Sequence, residues 1–311
     1  MRECHGDLHL GNLLLEGERV LAFDCVEFNA RFRWIDVMSE IAFLVMDCEA
    51  RGVAEGGFLA LNAWLEESGD YAGLAILDTC RAYRAMVRAK VALLAGRPPL
   101  ESGSPAQAEF RRYLGLADAF GQPRPRFLAI TCGVSGSGKS TVALALAGTL
   151  QAIRIRADVE RKRLFGLGAD ADTRLPGMPD IYTREAGART FGRLEELAEA
   201  VLASGYPVIL DATFIRRGLR ARFRALAERL GVPFRVIHCD APPAELQRRV
   251  AARLASGTDA SEADAAVLAS QLAACEAPAA DEAQWTLAAG AADADSLARL
   301  ARALREASGS A

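Results

Sequence analysis

The chain has 311 residues, of which 51% are apolar and 25% charged, and its net charge is −3. Such a composition describes a globular protein with enough chain for two cores. The charge does not favour a nucleic-acid or anionic-membrane partner, and no apolar run approaches the roughly 18 residues needed to cross a bilayer.

In chain order, the first distinctive stretch is HGDLHLGN at residues 5–12, in which Asp7 is followed after four residues by Asn12. Residues 20–24 (VLAFD) read as a short strand ending at Asp24, with Glu16, Gly17 and Glu18 as the turn before it. From Ile35 to Leu94 apolar residues recur at three- and four-residue spacing, which predicts helices, and another helix follows at about 105–119. A Gly/Pro/Ser-rich turn precedes that last helix. GQPRPR (121–126) has nothing apolar to bury and reads as a linker. The expected domains are therefore 1–120 and 127–311.

Beyond the linker the pattern changes. FLAITC (127–132), IRIRAD, PVILDA (207–212), FRVIHCDA (234–241) and, more weakly, WTLAA (285–289) are apolar strands. Helical segments such as 184–203 and 217–230 separate them. This alternation predicts an α/β domain with a parallel sheet covered on both faces. Seven scattered cysteines without a CxxC pair, among them Cys25, Cys132 and Cys239 in apolar runs, predict buried free thiols. With no signal-peptide character in the first residues, a cytoplasmic protein is the expectation.

GVSGSGKS fits G-x-x-x-x-G-K-[ST] at Gly133, Gly138, Lys139 and Ser140, followed by Thr141. Glycines let the backbone N–H groups of Ser135, Gly136, Ser137 and their neighbours turn inward around phosphate oxygens. The helix N-terminus that follows adds positive charge. Lys139 would reach the β- and γ-phosphates of ATP, and Ser140 would complete an Mg²⁺ shell. The chain has 37 basic residues, yet only Lys90, Lys139 and Lys162 are lysines, which adds weight to a lysine at this position.

Three further groups point to transfer rather than binding alone. Asp158, in RADVERKRL, sits where a second strand ends and could take a proton from an acceptor hydroxyl, with Arg161 holding substrate or phosphate charge. The plainer reading makes Asp158 a helix cap and leaves Arg161, Lys162 and Arg163 to solvent. Asp211 ends the third strand, suited to Mg²⁺ or the acceptor, or is simply the first solvated position. Arg248 and Arg253, five apart and close to one face, lead into a Gly/Ser/Asp segment that could close as a lid over the phosphates, or else they line a solvated helix face.

Taken together, GVSGSGKST, RADVERKRL, GYPVILDATF, APPAELQRRVAARL and DASEAD resemble a family of P-loop kinases similar to gluconate kinase, zeta toxins and the kinase domain of polynucleotide kinases. The resemblance covers about 127–290. It implies a P-loop NTPase three-layer fold and ATP-dependent phosphoryl transfer to a hydroxyl, with Asp158 as base, Asp211 at the metal or acceptor, and Arg248 and Arg253 as lid arginines. Acceptors in that family vary, so the substrate itself does not carry over; a hydroxyl of a small molecule is the expected acceptor.

HGDLHLGN followed by Asp24 resembles the aminoglycoside phosphotransferase family, which is related to protein kinases. By that resemblance Asp7 orients or deprotonates an acceptor, Asn12 and Asp24 ligand Mg²⁺, and His5 is structural. A Gly-rich cover and a strand lysine paired with a helix glutamate would also be needed, and neither precedes residue 5. Residues 1–120 are therefore expected to be a mainly helical, catalytically incomplete C-lobe with an apolar patch on its cleft side. The order of the two parts resembles bifunctional fusion proteins. The rival expectations are a polynucleotide 5′-hydroxyl kinase and a non-catalytic ATP-dependent regulatory module.

Overall fold

The computed structural model describes residues 1–96, 101–256, 260–290 and 293–309. The chain forms two compact units, Met1–Leu61 with Asp70–Arg124, and Asn62–Gly69 with Pro125–Ala311. The Gly/Pro/Ser-rich turn expected before the helix at about 105–119 falls partly outside the described residues.

The first unit opens with β1 (Arg2–Glu3), β2 (Leu13–Glu16), β3 (Arg19–Ala22) and β4 (Trp34–Ile35). β2 and β3 make an antiparallel hairpin, turning at Gly17, whose φ of 61° suits glycine. Only its second strand was legible from the sequence pattern. Helices α1 (Val37–Ala50), α2 (Ala54–Ser68), α3 (Leu74–Ala95) and α4 (Pro105–Ala119) follow, except that α2 from Asn62 onward belongs to the second unit. Asp36 and Ser104 cap α1 and α4 by accepting from the backbone N–H groups of Met38 and Gln107. Phe43 and Met46 of α1 pack with Ala85 and Ala89 of α3 and Tyr113 of α4 as this unit's core. Leu14, Leu15, Val20 and Leu21 of the hairpin, with Phe23, Phe28, Phe32 and Trp34, are exposed. The first unit therefore carries a bare apolar surface.

In the second unit, β5 (Leu128–Cys132), α5 (Lys139–Thr149), β6 (Ile153–Arg156), α6 (Ala157–Leu164), α7 (Arg184–Ala203), β7 (Val208–Asp211), α8 (Arg217–Arg229), β8 (Phe234–Cys239), α9 (Pro243–Ser256), α10 (Ala265–Ala274), β9 (Thr286–Ala289) and α11 (Ala294–Gly309) follow in turn. The five strands form one parallel sheet in the order β6-β7-β5-β8-β9. Ala129, Ile209, Ile237 and Ala289 point to one face and pack with Val142 and Leu146 of α5 and Leu300 and Leu304 of α11. Alternation sends Ile130, Leu210 and Val236 to the other face, where α7 lies on β7 and α8 on β8. This is the α/β P-loop NTPase arrangement, with β5 central and the chain leaving it first to one side and then to the other. Open sheets of this kind place their ligands at the strand ends beside that reversal.

All seven cysteines are free. Burial pushes the Cys132 thiol up to about 11 and that of Cys239 to about 12, so both are inert. Cys25 lies beyond the end of β3 and is only half-buried, because the strand stops at Ala22 rather than continuing to residue 24.

Candidate active site

The loop between β5 and α5 closes as tightly as its glycines suggest. Gly133 has φ 149°, and a Cβ there would lie 2.2 Å from the Cys239 carbonyl oxygen. A Cβ on Gly136 (φ 83°) would meet the Leu246 carbonyl at 2.8 Å. Both positions therefore demand glycine, through backbone conformation and through close approach. Lys139 and Ser140 open α5, with Lys139 buried and its Nζ donating to the Val134 carbonyl at 2.8 Å. Burial pushes the Lys139 ammonium below its usual range, and Asp211 opposes that shift.

Asp211 is the last residue of β7 and is buried, not the first solvated position. Burial pushes its carboxyl up, while Arg154, Lys139, Arg156 and the Ser140 hydroxyl pull it back. Its Oδ2 is buried with no hydrogen-bond partner. An open carboxylate oxygen beside a hydroxyl and a lysine fits the protein's side of a hydrated Mg²⁺, most of whose shell comes from water and phosphate.

Strand β6 ends at Arg156, so Asp158 lies in the first turn of α6 rather than on the strand. It does not cap that helix. Its Oδ1 accepts from Arg161 at 3.0 Å, and the Arg161 guanidinium stacks 5.1 Å from the Tyr182 ring centroid. Burial raises the Tyr182 phenol to about 12, leaving it a neutral hydrogen-bonding group. Lys162 is not solvated either: it is buried and pairs with Glu262 at 3.1 Å.

A cleft of about 710 Å³, open to solvent, brings Ser135, Lys139, Ser140, Asp158, Arg161, Tyr182, Asp211 and Arg253 together. It runs into a second cavity through Lys139, Ser140 and Arg253, where Gly136, Gly138, Thr141 and Arg249 also line the wall. Past Gly138, Thr141 and Arg249 that space continues into a third, bounded by Val142, Asp240, Ala241, Pro242 and Gly290. The three cavities thus adjoin through shared walls, with the glycine loop lining the middle one.

Arg248 lines none of them. Its side chain is 71% exposed and binds Glu245 through two hydrogen bonds of 2.8 and 2.7 Å. Residues five apart on a helix are about 140° apart around the axis, whereas four apart are about 40°. Arg249, which donates to the Gly136 carbonyl at 3.3 Å, is therefore the true companion of Arg253. Part of the expected lid segment, residues 257–259, lies outside the described residues. Two further groups carried no sequence signal: Gln271 of α10, whose Oε1 accepts from the Ser135 backbone N–H at 2.7 Å, and Tyr182.

In the first unit, Asn12 Nδ2 donates to the Asp7 carboxylate at 3.1 Å and His9 lies 3.5 Å from it. His9, opposed by partial burial and helped by Asn12, holds the Asp7 carboxyl below its usual range. The loop is anchored from the helices: Glu40 accepts from the Gly6 N–H, Asp47 from the Leu10 N–H, and Arg84 donates to the Gly6 carbonyl. His5 bonds the Phe23 carbonyl at 2.8 Å, a structural contact. Asp24 is exposed, with a left-handed φ of 59°.

The sheet order and glycine loop define the second unit as a P-loop NTPase-type α/β domain. Residues 128–278 match the family described as an AAA domain. The chain is 34% identical over 271 residues to the uncharacterized protein Rv2004c of Mycobacterium tuberculosis (strain ATCC 25618 / H37Rv), covering 86% of this chain and 53% of that protein. It thus spans about half the length of the curated relatives it matches. Among solved structures it is similar to a gluconokinase from Sinorhizobium meliloti 1021, at 23% identity over 59% of this chain and 97% of that one (TM-score 0.40). It is also similar to Chaetomium thermophilum Kti12 in complex with ADP-AlF3, at 18% identity over 58% and 98% (TM-score 0.45). Among the described residues no helix is long and apolar enough to cross a membrane.

Proposed function

We propose that the second unit transfers the γ-phosphoryl group of ATP to a hydroxyl of a small molecule. The observation that carries this reading is the row of adjoining cavities along the glycine loop. A nucleoside seated between Val142, Ala241, Pro242 and Gly290 would run its phosphates along Gly136–Thr141 toward Lys139. The far end then opens into the cleft that holds Asp158, with Arg161 and Tyr182 around it.

In the transfer, the acceptor oxygen forms a bond to the γ-phosphorus while the bond to the β–γ bridging oxygen breaks. ADP leaves with that electron pair, and the hydroxyl proton passes to the Asp158 carboxylate. Lys139, Arg249 and Arg253 meet charge on the phosphates. Ser140 and Asp211 would hold Mg²⁺, which neutralises phosphate charge when bound. Arg161 lines the acceptor cleft but not the cavity beside the glycine loop, so it suits an acceptor that carries an anionic group near its reacting hydroxyl.

The first unit is read as an aminoglycoside-phosphotransferase-like lobe, on the strength of the Asp7–Asn12 pair held by Glu40, Asp47 and Arg84. It is assigned no activity of its own in this chain.

A screen of hydroxy acids, sugars, antibiotics, nucleosides and oligonucleotides for acceptor-dependent ADP release tests the proposal. Release that needs one acceptor and is lost in Asp158→Asn supports it. Tight ATP binding with no acceptor-dependent release from any of these would replace the kinase by a nucleotide-dependent regulatory module.

A further inference from the structure

Strand β6 is an edge of the sheet, and its free side is met by the C-terminal half of α2. Asn62, almost fully buried, accepts from the Arg154 backbone N–H at 2.6 Å and donates to the Ala152 carbonyl at 2.9 Å, replacing a missing strand neighbour. One helical turn later comes Glu66. Its Oε2 accepts from the Arg154 guanidinium at 2.7 Å and its Oε1 from Arg156 at 2.8 Å. Alternation along β6 puts both arginines on the face shared with Asp211, which stands opposite Arg156 in the register.

The other arm of Arg154 reaches the metal side of the site. Its Nη1 lies 3.4 Å from the Ser140 carbonyl and 3.8 Å from Asp211 Oδ2. That last distance is too long for a hydrogen bond. A buried guanidinium so close to an open carboxylate oxygen would normally close the gap and form a direct pair. What holds it back is the shorter, charge-assisted bond to Glu66 on its opposite side.

We propose that Glu66 is a positioning residue for the nucleotide site: it restrains Arg154 and so keeps Asp211 Oδ2 open toward the metal position. The inference rests on the reading of Asp211 as a magnesium-side residue. Without Glu66, Arg154 moves onto Asp211 and occupies the oxygen that hydrated Mg²⁺ needs.

The test uses the full chain and a fluorescent ADP analogue, titrated once with Mg²⁺ and once with EDTA. Wild type binds more tightly with Mg²⁺. Glu66→Gln is expected to lose about ten-fold of that Mg²⁺-dependent tightening, as the loss of an outer-shell partner does at metal sites, with its EDTA affinity unchanged. The double variant Glu66→Gln/Arg154→Met removes the arginine that would block Asp211, and should regain most of the Mg²⁺ effect. A wild-type ratio in Glu66→Gln, or a double variant as impaired as the single, overturns the proposal. So does weakened binding in EDTA, since Glu66 would then hold the fold rather than the metal side. A wild type indifferent to Mg²⁺ would sink the assignment of Asp211 itself, whatever the variants do.

Discussion

The two units each present a loop with acids beside it, and they differ in what surrounds those acids. In the second unit, Asp211 and Asp158 stand among Lys139, Arg161, Arg253 and the turned-in glycine loop, so anions and cations alternate along adjoining cavities. In the first unit, the Asp7 carboxylate has Asn12 and His9 as hydrogen-bond partners, and Lys90, that unit's lysine, is exposed on α3. On the proposed reading, the second unit's site cradles a phosphate chain and passes its terminal group on. On the proposed reading of the first unit, its loop would supply only the acceptor half of such a site. A phosphoryl-transfer site needs positive charge aimed at the phosphates: Lys139 and Arg253 line the second unit's cleft, whereas the buried Arg84 and Arg81 of the first unit are engaged by the Gly6 carbonyl and by Glu49 and Asp78.

The widest gap between the two loops should appear on replacing Lys139. Lys139→Ala is expected to lower kcat/KM for acceptor-dependent ADP release by about 10³-fold or more, the loss expected when a phosphate-stabilising cation is removed. Asp7→Asn in the same assay should leave it within about two-fold, because that carboxylate belongs to another loop. If Asp7→Asn were the damaging change, the ranking of the two loops would be reversed. Next in size, Asp158→Asn should cost about 10²-fold or more in kcat while nucleotide affinity, read by fluorescence, stays near wild type. A parallel loss of affinity would make Asp158 a structural residue rather than the base.

Stability offers a third test, on the buried pair that closes the second unit. Arg220 of α8 grips Glu282 with two hydrogen bonds of 2.8 and 2.7 Å, and both side chains are buried. Those bonds hold the Glu282 carboxyl below its usual range. A depressed folded pKa contributes stability that is complete above the unfolded value, about 4.3, and is lost as pH falls through the folded one. Glu282→Gln should therefore cost about 3 kcal/mol at neutral pH by chemical denaturation, because it strands the buried Arg220 charge. The deficit should shrink below about pH 4, and a constant deficit across that window would mean the pair's charge is irrelevant.

How much of this was legible in the sequence follows from where each signal resides. β5 and β7, buried throughout, are near-continuous apolar runs that any reading finds, whereas the partly exposed β9 gives a weaker signal. β2, half of an exposed hairpin on the first unit, offers only three apolar residues, Leu13 to Leu15, too short a run to read as a strand without its partner. The glycine loop announces itself because its glycines, lysine and serine are contiguous. Asp158 was recognisable as an acid near a strand end, although the strand stops two residues earlier and a helix takes over. Glu66 and Asn62 were invisible, since they reach the site from some 90 residues upstream of Arg154 and only the fold connects them. Gln271 and Tyr182 gave no signal for the same reason.

The choice between Arg248 and Arg249 is the finest point at which sequence and structure part, and it yields the smallest predicted effect. Spacing alone made Arg248 and Arg253 partners, but a five-residue step turns a helix side chain well away from its companion. α9 packs Leu246 and Val250 inward, which fixes its phase: Arg249 and Arg253 fall toward the glycine loop, and Arg248 falls to solvent on Glu245. Arg253→Ala and Arg249→Ala should each lower turnover by about ten-fold, less than a dedicated transition-state arginine because three cations share the phosphate charge. Arg248→Ala should change it by less than about two-fold, since an exposed ion pair contributes little. Equal losses at Arg248 and Arg249 would show that α9 changes its phase when nucleotide binds.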